Sequence, residues 1–293
     1  MLAPIDKIES GVNDILQIEI TRRCDLFNCS NCTRLLPFRK DSPEMSLDVF
    51  RNAVDSVAEW PGIVALFGGN PCTHSQFEEI CRILAMAIPA DRRGLWTNHL
   101  RGHGEIAAHT FGWGRLNLNA HGDPEAYRNM DRWFPGRVIT GTEHAASWHA
   151  AILVDYRDMG LTTSEWIRAR ESCDINQRWS GIIQQRDGQA VGYFCEVSGA
   201  IDGVTGDRNG IPVYPGWWRE RMPAFASQVR QCCDRGCGVP LRLEGHRDLD
   251  AVYDISRSWL PALEARRGQI HLEVHERLPD RCRETTDYVR LRT

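Results

Sequence analysis

Apolar and polar positions along the chain alternate between two periods. Ile15–Ile20 is a short apolar run with the period of a strand. Ser46 then reads as a helix N-cap. Leu47, Val49, Phe50, Val54 and Val57 behind it are spaced for one helical face. Gly62–Phe67 is a second strand, and Phe77, Ile80, Cys81, Leu84 and Ile88 mark a second helical face. Gly94–Thr97 and Arg115–Asn119 continue the rhythm, with a helix near Pro124–Phe134. Val138–Thr140 and Ala151–Asp155 complete the strand candidates of this half. Strand–helix units repeated in this way predict an α/β fold with a parallel sheet and right-handed crossovers. Further on, Gly181–Arg186 and Ala190–Phe194 flank Asp187-Gly188, a strong hairpin signal.

Composition narrows the class. The chain has 293 residues, 42% of them hydrophobic, enough to bury a large core. A net charge of −4 gives no general pull toward nucleic acid. No apolar run approaches a membrane span, and Met1–Ser10 carries no stretch of signal-peptide length. Eleven cysteines without such a segment predict a cytoplasmic chain that uses thiols for metal ligation instead of disulfides.

The cysteines carry the chemistry. Cys24, Cys29 and Cys32 fall in one loop directly after the first strand. A loop has no core face to bury three thiols, so they are placed to converge on one centre. Three ligands on a four-iron cluster leave one iron open to a reactant. Thiolates also serve zinc, but structural zinc sites close with four ligands, and no nearby Cys or His completes this one. Gly68-Gly69-Asn70-Pro71 follows the second strand. Two glycines let a backbone approach a ligand closely, and an ordinary turn is the alternative reading.

This loop and the glycine pair behind it resemble the radical S-adenosylmethionine (radical SAM) superfamily. The gaps here are four residues and then two, where the family usually has three and two. The family commonly carries Gly-Gly-Glu-Pro where this chain has Gly-Gly-Asn-Pro. The resemblance implies a partial (β/α)6 barrel with its site at the carboxyl ends of the strands. It implies a [4Fe–4S] cluster on Cys24, Cys29 and Cys32, and S-adenosylmethionine held by Gly68, Gly69, Asn70 and Pro71. Trp96-Thr97-Asn98-His99 and Asn117-Leu118-Asn119-Ala120-His121-Gly122 are similar to further cofactor-binding elements, which brings in Asn98 and Asn119. Each also reads as a capped strand end. Reduction of the cluster, by a partner such as flavodoxin or ferredoxin, would split the cofactor and give a 5′-deoxyadenosyl radical.

Cys173, Cys195, Cys232, Cys233 and Cys237 are grouped around and after the hairpin. This arrangement resembles the twitch domain, a short form of the SPASM extension, as found in 2-deoxy-scyllo-inosamine dehydrogenases. The resemblance implies an auxiliary [4Fe–4S] cluster on Cys173, Cys195, Cys237 and one of Cys232 or Cys233. We take Cys233 as that ligand and Cys232 as a spare thiol, either packed or donating hydrogen atoms. A structural zinc on the same thiolates is the alternative. The expected organisation is a barrel over 1–165, a small twitch-like α+β extension over 166–245 and a tail over 246–293 packing on the barrel. The expected activity is hydrogen abstraction from a small molecule or modified biopolymer. Two-electron oxidation is preferred, epimerisation or isomerisation is the alternative, and a non-catalytic zinc protein is the reading from another class. Cys72, Cys81, Trp217 and Trp218 read as packing, Cys282 has no visible partner, and His271 and His275 read as alternate polar positions of a half-exposed strand.

Overall fold

The computed structural model describes residues 15–25, 29–39, 44–119, 121, 123–140, 148–171, 173, 181–219, 221–234, 236–241, 243–247, 251–264 and 271–276. Phe27 and Cys282 lie outside them. The first half alternates β1 (Ile15–Thr21), α1 (Leu47–Ser56), β2 (Ile63–Gly68), α2 (Phe77–Ala87), β3 (Arg93–Thr97), α3 (Gly104–Phe111), β4 (Arg115–Leu118), α4 (Pro124–Trp133) and β5 (Ile139–Thr140). The helices start where the chemistry says they should. Ser46 accepts the Val49 amide at 3.4 Å, and Asp123 accepts the Glu125 amide at 2.9 Å with Pro124 opening α4.

These five strands lie side by side in chain order and pair in parallel. On the other side of β1, β7 (Gly181–Arg186) pairs in parallel and extends the same sheet. It turns through Asp187 and Gly188, both at positive φ (48° and 76°), into the antiparallel β8 (Gln189–Tyr193). Two positive φ values match the right-handed twist of a two-residue hairpin, and Asp-Gly supplies them cheaply. β9 (Ile211–Pro212) ends the eight-stranded, mostly parallel sheet.

β1 is buried over all seven residues, yet it is not wholly apolar. Leu16, Ile18 and Ile20 join the main core, while the alternate Gln17, Glu19 and Thr21 are buried polar residues. One face of the strand therefore packs conventionally. The other is a buried polar face whose groups must find partners inside the protein.

The remaining elements pack around this sheet. β6 (Trp148–Ala150) pairs antiparallel with β10 (Glu244–Arg247). β11 (Val252–Ser256) pairs in parallel with β12 (His271–His275). α5 (Thr163–Glu171), α6 (Glu196–Thr205), α7 (Arg221–Cys232) and the short α8 (Leu260–Glu264) complete the described elements. The strand expected at Ala151–Asp155 is reduced to a single parallel bridge, Leu153 to Ile255 of β11. Backbone bonds from Ala151 to Leu243 and from Gly238 to Ile152 replace a ladder. Asp155 then accepts the Arg157 amide at 2.9 Å and turns the chain. Trp217 and Trp218 are buried packing residues, edge-on to Phe225 and Trp60 respectively. Among the described residues no helix is long and apolar enough to cross a membrane.

Candidate functional site at the strand ends

The loop after β1 leaves the sheet at its carboxyl end, and the fold holds it from behind. Ser30 and Asn31, between the second and third cysteines, dock on β11. Asn31 donates its backbone amide to the Val252 carbonyl at 3.2 Å. Its carboxamide donates to Asp254 at 2.6 Å and accepts the Asp254 amide at 2.9 Å. Ser30 Oγ accepts the Val252 amide at 3.2 Å. Asn31 sits at φ 49°, a left-handed conformation that Asn tolerates better than most residues. A short 3-10 turn over Leu36–Phe38 follows the loop. Burial raises the Cys32 thiol pKa, against the amides of Arg34, Leu35 and Leu36, which favour its thiolate.

Cys24, Cys29 and Cys32 line one cavity of about 120 Å³. Gly68 and Gly69 from the end of β2, Asn98 from beyond β3 and Asn119 from beyond β4 line the same cavity. Residues from four strand ends thus meet at one point. Asn98 is 7% exposed and donates its carboxamide nitrogen to Cys24 Sγ at 3.6 Å. Its carboxamide oxygen is buried without a hydrogen-bond partner among the described residues. A buried acceptor of this kind needs a donor. Asn119 lies 3.4 Å from His149 Nε2.

Asn70 and Pro71 do not line the cavity; they stand behind it. The Asn70 carboxamide is fully committed: it donates to Asp25 and to the His99 carbonyl, both at 2.9 Å. Its oxygen accepts from Thr97 Oγ1 at 2.8 Å and from the Cys72 amide at 3.1 Å. It ties the cysteine loop to the end of β3. Cys72 is buried beside Thr97, and burial pushes its thiol up to about 12; Cys81 is buried in α2 and is likewise pushed up.

The glycine pair serves a second purpose that its sequence context did not suggest. A side chain on Gly68 would place Cβ 2.0 Å from the Thr21 carbonyl oxygen, and on Gly69 2.2 Å from that of Arg23. Gly68 also stands at φ 148°. The two glycines let the end of β2 press against the start of the cysteine loop. Gly68→Ala is expected to cost about 2–4 kcal/mol, since both the backbone conformation and the contact forbid a methyl group. A denaturant midpoint unchanged from the parent chain would refute this.

Beneath the loop lies the polar face of β1. Glu19 accepts Arg34 Nε and Nη2 at 3.0 and 2.8 Å and Arg39 Nη1 at 2.8 Å, with Arg22 at 3.4 Å. Burial alone would raise the Glu19 carboxyl, but the three guanidinium groups outweigh it and hold its pKa at about 2. Arg34 also donates to the backbone carbonyl of Glu196, and the Glu196 carboxylate accepts from Gln17. Burial raises the Glu196 carboxyl despite that bond and the nearby Arg34. Arg34 is two residues from Cys32 and Glu196 is next to Cys195. One guanidinium therefore joins the two groups of cysteines.

The second group gathers at the start of α6. Cys195 is the N-cap, and its sulfur accepts the Ser198 amide at 3.2 Å. Its thiol pKa is pushed well up, first by burial and then by the charges of Cys233, Cys237 and Cys173. Cys233, Cys237 and Cys173 are thus within electrostatic reach of Cys195. Cys232 hydrogen-bonds through its thiol to Cys233 and Cys237, which raises Cys232 and lowers Cys237. It is buried with that group and does not line the cavity of Cys24.

Other residues of the site were not singled out in the reading of the sequence. His121 and His149 line the cavity, 6.1 Å apart between ring centroids. His121 Nε2 lies 3.6 Å from Cys29 Sγ, and His149 Nδ1 3.2 Å from the Ser30 carbonyl. His121 continues the two-residue alternation of Asn117 and Asn119, which was the available clue; His149 comes from β6 and had none. His275 is not a bland strand residue either. It bonds Asp254 at 2.7 Å, and this bond raises its pKa. With Glu273 these two form a group whose ligand atoms lie within 4.8 Å of one another, but the Asp254 carboxylate is already shared between His275 and Asn31.

No family model matches the chain, and no curated protein sequence matches it. Among solved structures it is similar to BtrN in complex with AdoMet and 2-DOIA, at 12% identity, covering 76% of this chain and 92% of that chain with a TM-score of 0.41.

Proposed function

We propose that this chain is a radical SAM enzyme that removes hydrogen from a small polar substrate in a two-electron oxidation. The observation that carries this reading is the meeting of Cys24, Cys29 and Cys32 with Gly68, Gly69, Asn98 and Asn119 in one cavity at the ends of four neighbouring strands. The donor set suits an iron–sulfur cluster. Among the described residues no three cysteine sulfurs all lie within 4.8 Å of one another. A tetrahedral zinc with 2.3 Å bonds needs them about 3.8 Å apart, whereas a cluster gives each thiolate its own iron. The partnerless Asn98 oxygen suits a ligand carrying N–H or O–H donors.

When bound, the cluster and S-adenosylmethionine supply one-electron chemistry that cleaves the cofactor and takes a hydrogen atom from the substrate. The chain's own residues do the rest. Asn98 would accept a hydrogen bond from the bound cofactor through its partnerless oxygen, and the backbone at Gly68 and Gly69 would form the wall beside it. Asn117, Asn119, His121 and His149 give the cavity a polar side that suits hydroxyl or amino groups. The described strands form an open, mostly parallel sheet with β5 and β9 at its edges. Cys173, Cys195, Cys233 and Cys237 would hold an auxiliary [4Fe–4S] centre, which would supply a further one-electron acceptor, and the external reductant would be of the flavodoxin or ferredoxin kind. Oxidation is favoured over epimerisation because the spare thiol, Cys232, faces the other cysteines and not the cavity.

Anaerobic reconstitution with iron and sulfide is expected to load about eight irons per chain, as two four-iron centres require. One zinc per cysteine group with no iron would overturn the enzyme reading. Four irons with S-adenosylmethionine cleavage intact would remove the auxiliary centre alone. Solvent deuterium incorporated into a substrate carbon would replace oxidation with epimerisation.

A further inference from the structure

We propose that the Tyr253 hydroxyl donates a hydrogen bond to a sulfur of the centre held by Cys24, Cys29 and Cys32, and thereby raises its reduction potential. This inference rests on the iron–sulfur reading of that loop. It adds a residue some 220 positions away in sequence that no cysteine motif includes.

Tyr253 lies in β11 between Val252 and Asp254, the two residues that bond Ser30 and Asn31 of the loop. The same docking that fixes the loop therefore fixes Tyr253 against it. Its ring meets Phe38, at the end of the turn following Cys32, edge-on at 4.8 Å. Tyr253 is 2% exposed, and its phenolic oxygen has no hydrogen-bond partner among the described residues. The Cys32 amide faces that oxygen without closing a hydrogen bond. Burial raises the hydroxyl's pKa well above its ordinary value, and the charges of Cys32, Cys29 and Cys24 raise it further. The thiols that act on it are Cys32, Cys29 and Cys24, all three of the loop.

A buried hydroxyl without an acceptor is a cost that native folds rarely carry. Sulfur bearing negative charge supplies the acceptor here. Reduction adds an electron to the centre, so a hydrogen bond to its sulfur stabilises the reduced form more than the oxidised one. Tyr253 acts through the centre and touches no reacting atom; it is a tuning residue.

The test uses the full chain, reconstituted with iron and sulfide, and the isosteric variant Tyr253→Phe. The signal to follow by paramagnetic resonance during a dithionite titration is the one that changes when S-adenosylmethionine is added. The variant is expected to keep its iron and to become harder to reduce, by up to roughly tenfold in the equilibrium, or ~59 mV for one electron. An exchangeable proton coupled to the reduced centre should be present in the parent chain and missing from the variant. An unchanged potential with the coupling retained would overturn the proposal while leaving the iron–sulfur reading intact; a bound water would then be the hydroxyl's partner. Loss of iron from the variant would make the hydroxyl structural and also overturn it. A parent chain with no iron on this loop would overturn both.

Discussion

Alanine at Cys24, Cys29 and Cys32 together is expected to abolish 5′-deoxyadenosine production under dithionite, a loss of at least about a hundredfold given that even outer-shell changes at metal sites cost 10–100-fold. Iron content should fall by about four per chain, one [4Fe–4S] centre, with the remainder kept by the cysteines around Cys195. The fold should survive. The loop is anchored through Ser30 and Asn31 to β11 and through Arg34 to Glu19, and none of these bonds uses a thiol. Circular dichroism and a thermal midpoint near that of the parent apoprotein would verify this. A triple variant that still yields 5′-deoxyadenosine would sink the assignment of the open iron to this loop.

Glu19→Ala is expected to destabilise the chain by about 3–5 kcal/mol, the cost of leaving buried cations without their counter-ion. Glu19 is 3% exposed and is the common acceptor of Arg34 and Arg39. Its pKa of about 2 in the fold, against 4.5 for a free side chain, also fixes a pH dependence. The folded pKa is depressed, so its stabilisation is fully present above about pH 4.5 and is lost as pH falls through about 2. At about 1.4 kcal/mol per pH unit the loss approaches roughly 3 kcal/mol. Denaturant titrations of parent and variant at a series of pH values check this. A variant whose stability falls as steeply as the parent's between those limits would show that other carboxylates carry the acid transition.

The parallel half of the fold was legible because each signal there is local. Ser46 and Asp187-Gly188 act over a few residues, and the structure uses them as the sequence announces. That the cysteine loop, the glycine pair, Asn98 and Asn119 would lie together was legible for the same reason: each sits within a residue or two of a strand end. Legibility failed where partners are distant. Nothing near Arg34 announces Glu19 or Glu196, and nothing near Asn31 announces Asp254. Asn70 was placed at the cofactor because the motif is local. What the motif does not announce is that its carboxamide bonds Asp25, Thr97, Cys72 and His99, contacts that depend on how three strand ends meet. Ala151–Asp155 was misread as a strand because a fully apolar run gives no period, and a buried irregular segment has the same composition.

The clamp on the cysteine loop has a consequence in time. Asn31 and its partner Asp254 are separated by 223 positions, and Arg34 and Glu196 by 162. At roughly 5–20 residues per second on the ribosome, Asp254 is made about 10 to 45 s after the loop it secures. Over that interval three thiols are exposed on an unclamped segment, with Glu19 and the guanidinium groups above it still reaching for water. A metal delivered early would meet a loose trio of ligands free to take a wrong ion. Delivery after the chain has closed would meet a preformed site. The order of synthesis thus sets when the loop could be loaded with the proposed cluster.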